Sequence, residues 1–140
     1  MREIEFRGKR VDNGEWVYGS LDTNMKMDGF TTIAYFDSES YYCEDNVIPE
    51  TVGQYTGLKD KNGQKIYEGD IVEFTVFDHN DIDTQYKGFV TFCYGEWQLW
   101  HSKEIEYYGD DGGFNLWWVH NQDCELEIIG NIHDTKGETE

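Results

Sequence analysis

Turn signals interrupt this chain so often that long helices have little room to form. Asn13-Gly14 and Asn62-Gly63 are hairpin or tight-turn dipeptides, because both residue types accept a positive φ at low cost. The segment "YEGD" at 67–70 is a third turn signal, and Gly95-Glu96 splits a fourth pair of apolar runs. With 15 glycines and a single proline, Pro49, the turns must come from glycine, asparagine and aspartate. Between the turns, apolar residues alternate. In "IVEFTVF" (71–77), Val72, Phe74 and Val76 share one face while Glu73 and Thr75 take the other. That is the pattern of a strand with one buried face. No segment of about ten residues carries a convincing helical period. The chain is therefore expected to be all-β, a small barrel or sandwich of short antiparallel strands with little helix.

The expected strands follow from the same reading. "REIEFRGKRV" (2–11) alternates Ile4 and Phe6 with charged neighbours, and "WVYGSL" returns across the Asn13-Gly14 turn. "GFTTIAYF" (29–36) is rich in β-branched and aromatic residues. "SESYYCEDNVIPE" (38–50) is acidic, ends near Pro49 and reads as a segment joining two halves. "GFVTFCY", "EWQLW" and "LWWVH" read as further strands, with Val90, Phe92 and Tyr94 on one face, and "EIIGNI" as a short closing strand. Polar loops are expected at 78–87 and 102–115. Tyr55, Leu58, Ile66 and Tyr67 are expected in the core. The implied organisation is an N-terminal β subdomain at 1–48, a C-terminal β-barrel at 49–134 and a frayed tail at 135–140.

With 29 acidic and 11 basic residues, the formal net charge is −18. Such a surface repels phosphate backbones and anionic lipids, and it argues against direct nucleic-acid and membrane binding. Aromatics make up 16% of the chain, enough to build a core despite the charge, which a disordered acidic chain could not do. Arg2, Arg7, Lys9 and Arg10 all fall in the first ten positions. Together with Trp16 they are the one local basic strand that could touch nucleic acid. Cys43, Cys93 and Cys124 cannot all pair within one chain, none forms a C-x-x-C, and no apolar signal region opens the sequence. A cytoplasmic protein with free thiols is expected.

The segment "ETVGQYTGLKDKNGQKIYEGDIVEF" (50–74) raises the question of a phosphate loop, because it holds Gly53, Gly57, Gly63 and Gly69. No Lys-Ser or Lys-Thr follows any of these glycines, and the next element is a strand. The helix N-terminus that binds phosphate is missing, so these glycines are expected to be turn residues. Loops starting at Asp22, Asp60 and Asp78 each fail the calcium-loop pattern, since none places glycine sixth. Cys93 and His101 could converge on zinc with His120 and Cys124, but His120 and Cys124, four apart, share a face only on a helix, and zinc ligands in small domains usually come in close pairs. No catalytic constellation emerges. The expectation is therefore no catalytic, cofactor or metal residue, and no enzyme. What remains is aromatic. Trp97, Trp100, Trp117 and Trp118 form a candidate interaction surface, because exposed aromatics mark interfaces. On a strand, Trp117 and Trp118 would face opposite ways.

Three stretches carry a resemblance: "REIEFRGKR…GEWVYG", then "VIPETVGQYTGLKDKNGQKIYEGDIVEF", then "EIIGNIHD". In this order they resemble the YopX family, over about residues 2 to 134. The resemblance implies an all-β fold whose C-terminal half is an SH3-type barrel. It also implies an origin in bacteriophages or in prophages of low-GC Gram-positive bacteria. It brings no catalytic residues. The resulting expectation is a non-enzymatic phage accessory protein acting by contact with itself, as a homo-oligomer, or with a host or phage protein. The alternative is an acidic DNA mimic that occupies the basic groove of a host nucleic-acid-binding protein, which requires carboxylates arranged in a stripe.

Overall fold

At the first turn, Gly14 has φ 75° and donates its N–H to the Arg10 carbonyl at 3.0 Å. The Asn13 side chain accepts from the Glu15 N–H at 2.9 Å. This closes a hairpin between β1 (Phe6–Lys9) and β2 (Trp16–Asp22), as the Asn-Gly signal predicts. The computed structural model describes residues 3–22, 31–77, 83–93, 95–101, 114–122 and 125–134, and the side chains of 77, 83, 84 and 101 are not described. Among these residues the elements are antiparallel strands in two sheets, one short α-helix and one 3-10 turn. The chain divides into two units, Met1–Tyr55 and Thr56–Glu140.

In the first unit, β3 (Thr32–Phe36) and β4 (Tyr42–Asn46) follow the hairpin, and a 3-10 turn spans Pro49–Thr51. β5 (Gly53–Lys59) begins here and pairs Gly53 and Gln54 with Arg7 and Phe6. The strand order is β4-β3-β2-β1-β5. Beyond Asn46 the chain also bridges back to the end of β1, through Arg10 opposite Val47. Ile33 and Val47 are buried on the inner face. A Cβ added at Gly8 would lie 3.1 Å from Val47 and 3.2 Å from Ile33, so β1 passes where only glycine fits without displacement. The stretch 38–50, expected as a joining segment, contributes strand β4 instead. Its acidic residues Glu44 and Asp45 are consecutive and project to opposite faces, and pairing with β3 outweighs their low strand propensity.

The second unit holds β6 (Lys65–Tyr67), β7 (Asp70–Phe77), β8 (Asp83–Cys93), β9 (Glu96–His101), β10 (Phe114–Asn115) and β11 (Glu127–Asn131). Five of them form an antiparallel sheet in the order β10-β9-β8-β7-β11. Its core gathers Ile66, Val72, Phe74, Val90, Leu99, Leu116, Val119 and Leu126. Leu58 and Val76 pack against it half-buried, and Tyr55 and Tyr67 are buried as expected. Phe92, expected beside Val90, is exposed, and Tyr94 lies outside the described residues. The expected polar loop at 78–87 is strand from Asp83 onward, where Asp83–Lys87 extends the ladder with β7. The expected loop at 102–115 ends in β10, and its residues 102–113 lie outside the described set, as does the tail at 135–140.

The larger correction concerns "LWWVH". It is the start of helix α1 (Leu116–Gln122), not a strand. The Asn115 side chain caps it by accepting the Trp118 N–H at 2.8 Å, and Leu116 and Val119 bury one face three residues apart. Cap and spacing together outweigh the strand preference of Trp and Val in a segment this short.

The glycine-rich stretch serves turns. Gly63 has φ 82°, a conformation that favours glycine, and sits in a turn organised by Asp60. The buried Asp60 carboxylate accepts the N–H groups of Asn62 and Gln64, each at 2.9 Å, and of Ile128 at 3.0 Å. Asp70, also buried, accepts the Tyr67 N–H at 2.7 Å and shapes the turn before β7.

Candidate interaction surface

Strand registry decides which side chains of the first unit share its outer face. Arg7 lies opposite Tyr18, Ser20 opposite Ala34, Ala34 opposite Glu44, and Phe36 opposite Tyr42. Because side chains alternate along each strand, these residues project to one side. Ile33 and Val47 project to the other and are buried. The outer face is aromatic. Phe36 is 70% exposed, Tyr42 61% and Tyr18 44%. The Phe36 and Tyr42 rings meet edge to face with centroids 5.7 Å apart, a favoured geometry for an aromatic pair. Beside them lies a groove of about 540 Å³, lined in part by Glu5, Tyr18, Ser20, Ala34, Phe36 and Tyr42.

Carboxylates border the aromatics. The Tyr42 hydroxyl donates to Glu44 at 2.7 Å, and this bond holds its pKa above the usual tyrosine value. On the inner face, the Tyr35 hydroxyl donates to Asp45 at 2.5 Å. That hydrogen bond, aided by burial and the nearby carboxylate charge, pushes the Tyr35 phenol up to about 12. Asp37 folds the β3–β4 turn by accepting the N–H groups of Glu39 and Tyr41, each at 2.9 Å.

The basic strand comes together in part. The Arg7 guanidinium lies 4.5 Å from the centre of the Trp16 ring and the Lys9 ammonium 5.5 Å from it, both in range of cation–π attraction. Arg7 is only 6% exposed. Arg10 is held by Asp12 at 2.9 Å, and its Nη2 lies 3.8 Å from Asp45. Its pKa is raised, first by the hydrogen bond to Asp12. Arg2 lies outside the described residues.

The four tryptophans occupy three settings. Trp97 packs half-buried against the core of the second unit and meets Phe92 edge to face at 5.0 Å. Trp100 is three residues further along β9 and so projects to the opposite face, where its indole N–H donates to Gln98 at 2.8 Å. Trp117 and Trp118 are on α1, exposed at 65% and 44%. Trp118 stacks on Phe114, which in turn contacts Tyr86 and Phe74 of the core sheet.

Among the described residues, no three His, Cys, Asp or Glu side chains are gathered to hold a metal ion. Cys43 and Cys93 are half-buried free thiols, and Cys124 lies outside the described residues. Also among the described residues, no helix is long and apolar enough to cross a membrane.

Tyr18, Phe36 and Tyr42 were not evident as a group from sequence. The available signal was aromatic spacing on both sides of a turn, Phe36 before it and Tyr42 after it. The acidic run around Tyr42 masks it, because that run reads as a linker.

Comparison with known proteins places these features in context. Residues 5–137 match the YopX protein family. The crystal structure of protein EF1440 from Enterococcus faecalis is similar in fold, with a TM-score of 0.56 and 16% sequence identity over 100% of both chains. No curated protein sequence matches the chain.

Proposed function

The chain belongs to the YopX family, and from that premise we propose that it is a phage or prophage accessory protein that works by protein–protein contact and not by catalysis. The observation that carries this reading is the pair Phe36 and Tyr42, both more than half exposed, in edge-to-face contact beside a groove. An aromatic pair kept on the solvent side buries little area in the isolated protein. It supplies large, rigid contact area to a partner at small entropic cost. The acidic mimic is less well supported. Asp60 and Asp70 are buried in turns, Asp37 folds a turn, and Asp45 is engaged by Tyr35, so these carboxylates serve the fold and not a charged stripe.

The test is affinity capture from a lysate of a low-GC Gram-positive host, comparing the wild type with Phe36→Ser/Tyr42→Ser. The reading expects at least one protein retained by the wild type and lost by the double variant. Identical retention by both, or retention of nothing while the wild type is a strict monomer in light scattering, contradicts it.

A further inference from the structure

The outer edge of β4 has an unusual combination of features. Val47 donates its N–H to the Thr31 carbonyl and Asp37 donates to the Tyr41 carbonyl. These two bonds fix the phase of the β3–β4 ladder. Cys43 and Asp45 turn their backbone groups toward β3, and Tyr42, Glu44 and Asn46 turn theirs away. Asn46 is met on that outer side, where its carbonyl accepts the Val11 N–H at 2.9 Å. Among the described residues, nothing meets the outward N–H and C=O groups of Tyr42 and Glu44. The edge is thus half used, closed at Asn46 and Val47 by the end of the first hairpin and open at Tyr42 and Glu44. An open edge is a template for an added strand unless it is blocked.

Resting on the contact reading above, we propose that this open edge takes an extended, basic peptide segment of a partner protein as an antiparallel strand. The occupant's chemistry follows from the side chains beside the edge. A residue opposite Tyr42 projects to the outer face next to Tyr42 and Phe36, which suits an apolar side chain. A residue opposite Glu44 projects to the same face beside that carboxylate, which suits lysine or arginine. In antiparallel register the partner of Glu44 precedes the partner of Tyr42, so the recognised pattern is basic–any–apolar. Opposite charges directly across a ladder are favourable, and like charges are not. A second copy of this chain is a poor occupant, because it brings another formal charge of −18 to an edge that already carries Glu44.

The probe is the fluorescein-labelled peptide GSKTVTGS, read by anisotropy at low salt. Its lysine and valine are placed opposite Glu44 and Tyr42, and each donates one backbone N–H to the edge. The inference expects saturable binding that weakens as salt is raised. It also expects at least about a tenfold loss when the lysine and valine nitrogens are methylated, because two ladder bonds go. The same loss is expected for the reversed order GSTVTKGS. Glu44→Lys, an exposed change, is expected to exchange preference toward GSETVTGS. Equal binding of the methylated peptide overturns strand addition, as does no exchange of preference in Glu44→Lys. No binding of any basic peptide also overturns it. If capture in the previous test still depends on Phe36 and Tyr42, the contact reading survives that result and only the strand mode falls. A dimer that Tyr42→Pro dissociates also overturns the proposal, since it assigns the edge to a second copy.

Discussion

Phe36 and Tyr42 stand opposite each other across β3 and β4, rings edge to face at 5.7 Å, on the exposed side of the first unit's sheet. The pair sits at a non-hydrogen-bonded position of the ladder, where the two strands bring side chains closest. Being exposed, it contributes little to folding. Each of Phe36→Ser and Tyr42→Ser is expected to cost no more than about 1 kcal/mol in urea unfolding. A double-mutant cycle is expected to show a small positive coupling. A loss of several kcal/mol for either change would mean that the ring is part of a core.

The opposite outcome is expected at Asp60. Its buried carboxylate accepts three backbone N–H groups, two in the Asn62-Gly63 turn and one from β11. Asp60→Ala leaves those donors without their acceptor and is expected to destabilise by about 2–4 kcal/mol. Chemical denaturation followed by tryptophan fluorescence measures it. A change below about 0.5 kcal/mol would contradict the role given to this residue.

Gly8→Ala tests the close approach of β1 to Val47 and Ile33. The added methyl is a few tenths of an ångström too near side chains that are themselves fully packed. The expected cost is about 1–3 kcal/mol, as for other overpacked sites. Val47→Ala in the same background is expected to recover part of it, and simple additivity of the two changes would count against direct contact.

The Tyr35–Asp45 hydrogen bond gives a pH signature. A phenol whose folded pKa is raised from 10 to about 12 stabilises the fold fully below pH 10 and loses that contribution as pH rises toward 12. Absorbance titration of the wild type is expected to show a late tyrosine that is missing in Tyr35→Phe. A Tyr35→Phe profile that superimposes on the wild type across pH 10 to 12 would remove the argument.

Much of this fold is legible in the sequence, and the reasons are local. The Asn13-Gly14 and Asn62-Gly63 turns follow from glycine's tolerance of positive φ, and "IVEFTVF" shows its buried face by alternation alone. Four segments are not legible: β4, the Asp83–Lys87 start of β8, β10 and α1. β4 carries Glu44 and Asp45 where a strand signal would have apolar residues, because it is an edge with only partial cover. α1 is too short to show a period; its Asn115 cap is a local signal, but the burial of Leu116 and Val119 that completes the helix is a tertiary fact. The outer aromatic face depends on both β4 and its registry with β3, so it could not be assembled from sequence.

The most direct measurement is site-specific photo-crosslinking in host lysate, with benzoylphenylalanine placed at position 36 in one protein and at position 117 in another. Both sites are exposed and aromatic, and they lie in different units. The account predicts a discrete adduct from position 36, lost when Glu44→Lys is added, and none of that mass from position 117. An adduct from position 117 alone, or one from position 36 that ignores Glu44→Lys, would contradict it.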